Sequence, residues 1–110
     1  MFVAYPYDAS NAWLVRTTLD GEEKAERLAR ALVGPDLAAC VHIHAIRSFY
    51  GWKGRMEDAK EWVVEARGVG WRRRRRVEKA MLAGHPYEIP MLEVQGSVVN
   101  AAYRRWMKRG

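Results

Sequence analysis

The chain has 110 residues, 49% of them hydrophobic, and a formal net charge of +6 with a pI near 9.8. That length suits one domain with its own core, and the lone Cys40 excludes an intramolecular disulfide framework. No apolar run reaches the ~18 residues of a membrane span, and the opening MFVAYPYDASN has neither the basic start nor the apolar stretch of a secretory leader, so a cytoplasmic protein is expected.

Residues 1–11 read as an N-terminal extension, and residues 12–110 as a single core. Residues 12–18, AWLVRTT, are rich in β-branched and aromatic side chains and predict a strand. Asp20 and Gly21 then open a helix whose first turn holds Glu22 and Glu23, where carboxylates suit the helix dipole. Ala25, Leu28, Ala29 and Leu32 recur at helical spacing as its buried stripe, and Gly34 and Pro35 end it.

Val41, Ile43 and Ala45 alternate with Cys40, His42 and His44, a strand pattern. Lys53-Gly54 has the composition of a two-residue hairpin turn. Folding there pairs Val41 with Ala66, Ile43 with Val64 and Ala45 with Trp62 on one apolar face. The other face pairs Cys40 with Arg67, His42 with Glu65 and His44 with Val63. A one-residue slip would scramble both faces, so their coherence fixes the register. At roughly 3.3 Å per residue each strand spans about 36 Å, against a radius of gyration of ~13 Å for a domain this size. Phe49, Tyr50 and Trp52 therefore project beyond their own domain, and covering them calls for another copy of the chain.

A second helix is predicted over residues 71–83, with Val77, Ala80 and Met81 buried and Gly84 as its stop. Pro86 and Pro90 frame an extended link into a strand over residues 91–95, and Asn100 caps a short final helix with Tyr103 and Trp106. The order βα, ββ, αβ plus a terminal helix predicts a ferredoxin-like α+β fold, with helices on one face of an antiparallel sheet and one overlong hairpin.

Several of these segments together resemble the CutA divalent-cation-tolerance family from Trp13 to Trp106. They are LAACVHI at residues 37–43, SFYGWKG at residues 48–54, Glu61, HPYEIP at residues 85–90, and the pair Tyr103 and Trp106. The resemblance implies a ferredoxin-like protomer in a homotrimer, related in architecture to the PII nitrogen-signalling proteins, with the long hairpin between subunits. It also implies a non-enzymatic protein tied to divalent-cation tolerance, some members being described as copper binders. Members with a proposed copper site carry a first-strand cysteine where this chain has Thr17, and two histidines where it has Gly84 and His85. Ile46 follows Ala45 where many relatives have Pro-Gly, in a segment one residue shorter, and Arg74 takes a helix position that is often apolar.

His85 is a candidate metal ligand, or else a histidine whose ring bonds backbone and fixes its turn. Cys40, His42 and His44 share one strand face, and thiolate with imidazole suits copper or zinc. Successive residues on that face stand roughly 7 Å apart, so a semi-polar intersubunit face with His42 paired to Glu65 is the plainer alternative. Tyr50, Trp52, Tyr87 and Trp106 are candidates for an intersubunit ligand cleft or for packing anchors. Glu61 and Arg67, charged within an apolar strand, are candidates for ligand binding or for structural pairing.

The charge surplus is local: residues 71–110 carry ten Lys/Arg against three Asp/Glu, residues 1–70 nine against ten. Arg72, Arg73, Arg74, Arg75 and Arg76 form its centre. A helix of ~3.6 residues per turn spreads them around its cylinder, with Arg73 and Arg74 toward the buried side. No RNA-binding motif or stacking array accompanies them, so they read as a solvated helix end rather than a nucleic-acid site. The leading functional expectation is divalent-cation binding, copper foremost, through His85 or residues gathered across subunits. The competing expectation is a PII-like scaffold that docks a protein or small metabolite.

Overall fold

A computed structural model describes residues 7–8 and 11–109. The elements run β1 (Tyr7–Asp8), β2 (Ala12–Leu19), α1 (Glu22–Leu32), β3 (Cys40–Trp52), β4 (Arg55–Val69), α2 (Trp71–Leu82), β5 (Glu93–Gly96), β6 (Val99–Asn100) and α3 (Ala101–Arg109). The main sheet is antiparallel in the order β3-β4-β2-β5, the ferredoxin-like arrangement.

The β3–β4 hairpin keeps one register from Cys40↔Arg67 to Trp52↔Arg55, without a bulge. Lys53 and Gly54 both have positive φ, 51° and 76°, as a two-residue turn matched to strand twist requires. Side chains alternate, so each strand divides its chemistry between two faces. Trp13, Val15, Leu19, Val64 and Ala66 meet Ala25, Leu32, Val77 and Met81 of α1 and α2 in the core. Trp13 lies flat over Gly68, its cross-strand partner, so closely that a Cβ there would come within 2.5 Å of the ring. Its indole N–H donates to Gly70 O at 2.9 Å, tying β2 to the entry of α2.

The opposite face carries Leu14, Arg16, Thr18, Glu61, Val63, Glu65 and Arg67 with Cys40, His42 and His44. The terminal helix α3 covers one end of this face, burying Met107 against Ala12 and Val69. The molecule measures 49 × 36 × 21 Å, and its radius of gyration of 15.7 Å exceeds the ~13 Å of a compact domain. The hairpin accounts for this: Phe49, Tyr50 and Met56 near its tip are 58%, 45% and 77% exposed.

Four local expectations are corrected. The strand expected over residues 91–95 begins two residues later and reaches Gly96, because Met91 O is taken by the Thr17 hydroxyl at 2.6 Å instead of a ladder partner. The second helix stops at Leu82, with Ala83 already extended at ψ 120° and Gly84 at φ +67° completing the reversal. Asn100 belongs to β6 rather than serving only as a cap. Tyr7 and Asp8, read as part of an extension, pair with Asn100 and Val99 in a small second sheet. Residues 1–6, 9–10 and 110 lie outside the described residues.

Candidate functional site

The segment after α2 folds back across the base of the hairpin arm, and His85 anchors it. Its Nδ1 accepts from the Tyr87 N–H at 3.2 Å, which fixes the ring proton on Nε2. Nε2–H points to Thr18 O and Thr17 Oγ1, each 3.1 Å away. The Thr17 hydroxyl in turn donates to Met91 O. Both ring nitrogens are thus engaged in holding the turn, and a metal would have to displace one of these bonds. Thr17 is fully buried, and at this position it closes a structural network.

This anchoring swings Tyr87 over the open face, where its hydroxyl donates to Glu61 Oε2 at 2.6 Å. Burial, then Glu61, pushes the Tyr87 hydroxyl far above its ordinary pKa of 10.0. Around this pair lies a cavity of about 370 Å³ lined by Thr18, Tyr50, Trp52, Glu61, Tyr87, Glu88, Ile89 and Met91. Four residues expected in a ligand cleft, Tyr50, Trp52, Glu61 and Tyr87, therefore do converge within one chain. Thr18, Glu88, Ile89 and Met91 join them unforeseen. Glu88 and Ile89 sit in the Pro-framed segment, whose turn composition alone could have flagged them.

Arg67 and Trp106 belong to a different neighbourhood, farther along the same face. Glu65, 8% exposed, is gripped by Arg67 Nη2 at 3.0 Å and lies 3.2 Å from Arg16 Nε. Arg16 Nη1 also lies 3.3 Å from Glu93 Oε1, so two guanidinium groups here meet two carboxylates. Arg16, a lone charge inside an apolar strand, carried the same signal in the sequence as Glu61 but was overlooked. Cys40 Sγ lies 3.4 Å from His42 Nε2, and His42 Nδ1 lies 3.9 Å from Glu65 Oε1. Their backbone spacing does not keep them apart, because both side chains lean together. His44 stays exposed, opposite Val63. Tyr103 stands beside Cys40, and its hydroxyl is pushed up by burial and then by Cys40. Its ring stacks on Trp106 with centroids 5.5 Å apart. Among the described residues, no three His, Cys, Asp or Glu side chains converge as a metal set.

The arginine run is largely committed to its own fold. Arg73 donates to Lys108 O at 3.1 Å and to Met107 O at 3.5 Å, satisfying carbonyls at the end of α3. Arg74 donates to Glu78 at 3.1 Å, Arg76 lies 3.8 Å from Asp36, and Arg72 rests on the Trp71 ring. Arg75 is exposed. Arg73 and Arg74 are half-buried, while Arg72, Arg75 and Arg76 lie exposed at spacings of three and four along the helix. No helix among the described residues is long and apolar enough to cross a membrane.

Fold and site together define a ferredoxin-like α+β protein with an aromatic, carboxylate-bearing cavity between a long hairpin and the segment after α2. The chain belongs to the CutA family: the model described as CutA1 divalent ion tolerance protein matches residues 13–110. It is 30% identical over 97 residues to the divalent-cation tolerance protein CutA of Pyrococcus horikoshii, covering 86% of this chain and 92% of that one. The structure of CutA from Synechococcus elongatus PCC7942 complexed with a Bis-Tris molecule superposes with a TM-score of 0.82 at 28% identity, over 93% of this chain and 96% of that chain. The structure of a protein described as the periplasmic divalent cation tolerance protein CutA of Archaeoglobus fulgidus gives 0.79 at 28% identity, over 87% and 94%.

Proposed function

We propose that this protein is a homotrimeric, non-enzymatic binder of divalent cations, copper foremost, acting in the cytoplasm. The observation that carries the reading is the 3.4 Å approach of Cys40 Sγ to His42 Nε2 on the face of the sheet away from α1 and α2. A thiol and an imidazole aimed at the same space form a soft S/N donor pair suited to copper or zinc. One chain offers two such donors, whereas these ions ordinarily take three or four protein ligands. Further copies of the chain supply the remainder.

Assembly is supported independently. Among the described residues the outer edge of β3 runs unpaired for 13 residues, and the rings near its tip lie bare. Such an edge is sheltered by another sheet. Buried nitrogens Arg16 Nε and Arg67 Nε also lack a hydrogen-bond partner among the described residues, although the former is within ion-pair range of Glu65.

Calorimetric titration of metal-stripped protein with Cu²⁺ tests the reading. Saturable binding that Cys40→Ser and His42→Ala each weaken at least ~10-fold, about 1.4 kcal/mol, supports it. Binding unchanged by either substitution contradicts it. A second reading, a PII-like module that takes a small molecule, is favoured by the cavity between the arm and the segment after α2. The Bis-Tris complex of the Synechococcus relative is in keeping with it.

A further inference from the structure

The cavity between the arm and the segment after α2 holds a carboxylate that no cation among the described residues neutralises. Glu61 is only 8% exposed, and it accepts a hydrogen bond from the Tyr87 hydroxyl. None of the ion pairs among the described residues includes it. A carboxylate out of water ordinarily pairs with a cation. The lining adds a second acid, Glu88, and contains no Lys, Arg or His, although the whole chain carries a net charge of +6.

The remaining walls narrow the kind of cation. The rings of Tyr50, Trp52 and Tyr87 surround the space, and ring faces attract positive charge. A divalent metal ion keeps a dense shell of oxygen, nitrogen or thiolate donors, which two carboxylates among aromatic and aliphatic walls do not provide. An organic ammonium ion differs, because its charge is spread under an apolar skin that rings can cover. A volume of about 370 Å³ falls at the small end of ligand pockets.

We propose that this cavity binds a small organic ammonium ion, with Glu61 countering its charge and the three rings packing on its alkyl groups. Tyr87 positions the Glu61 carboxylate, and His85 positions Tyr87 through its backbone N–H. This inference rests on the small-molecule reading of the cavity and is independent of metal binding at Cys40 and His42.

The test titrates the full chain with choline chloride in phosphate buffer containing EDTA, free of amine buffers. In parallel it uses 3,3-dimethylbutan-1-ol, the neutral isostere in which carbon replaces nitrogen. Saturable choline binding, at least ~10-fold tighter than the isostere, is expected. Glu61→Gln should weaken choline at least ~10-fold while leaving the isostere unchanged, and Trp52→Leu should weaken both. Equal binding of choline and isostere overturns the cation assignment but preserves a small-molecule cavity. Binding of neither overturns both. Because the isostere comparison uses the unaltered chain, it decides even where Glu61→Gln fails to fold.

Discussion

Replacing His85 by alanine separates a structural histidine from a metal ligand. Truncation removes the acceptor of the Tyr87 N–H and the donor shared by Thr18 O and Thr17 Oγ1. Counting the shared donor once, two half-buried hydrogen bonds at ~1 kcal/mol each disappear. The edge-on contact with Tyr87, at 4.9 Å between centroids and 68° between planes, adds about 0.5–1.5 kcal/mol. The variant should therefore lose roughly 2.5–3.5 kcal/mol, lowering the urea midpoint by about 1–2 M at fixed protein concentration. Its affinity for Cu²⁺, measured by calorimetry on the folded variant, should stay within about threefold of the original, under 1 kcal/mol. His42→Ala should show the reverse, weak copper binding with a near-normal midpoint. A folded His85→Ala protein of normal stability that no longer binds copper would refute the assignment of His85 to the turn.

Gly68→Ala should destabilise by about 2–4 kcal/mol, since the added Cβ meets Trp13 at 2.5 Å and threatens its bond to Gly70 O. Gly51→Ala, with nothing within 4 Å, should be near neutral in the same urea titration, and equal midpoints would contradict this packing. The raised Tyr87 pKa favours the protonated phenol in the folded state, so its stabilising contribution is complete below the ordinary value of 10.0 and is lost as pH rises above it. Stability should thus fall more steeply above about pH 10 in the unaltered protein than in Tyr87→Phe; parallel declines in denaturation series would count against the Tyr87–Glu61 bond. Light scattering at micromolar concentration should give about 38 kDa, three chains of 12.7 kDa, and a 12.7 kDa species would contradict the trimer.

The hairpin was legible because alternation over a long stretch leaves only one register with two coherent faces, and every pair from Cys40↔Arg67 to Trp52↔Arg55 follows it. Both main helices were legible for the same reason, a period sustained over three turns. The pairing of Tyr7 and Asp8 with β6 was not, since two-residue strands carry no period. The cavity was half legible. Aromatic and charged residues out of place in the pattern singled out Tyr50, Trp52, Glu61 and Tyr87, but only the fold reveals that the segment after α2 crosses the arm and adds Glu88 and Met91. Arg67 and Trp106 were grouped with them by residue type, while strand geometry places Arg67 beside Glu65 and Trp106 against Tyr103. The Cys40–His42 approach depends on rotamers, which spacing along a strand does not specify.

Crystals of copper-loaded protein, measured at the copper absorption edge, test the central claim most directly. An anomalous peak within bonding distance of Cys40 Sγ and His42 Nε2, between copies of the chain, is the predicted result. A peak on His85, or a saturated protein with none near Cys40, would contradict it.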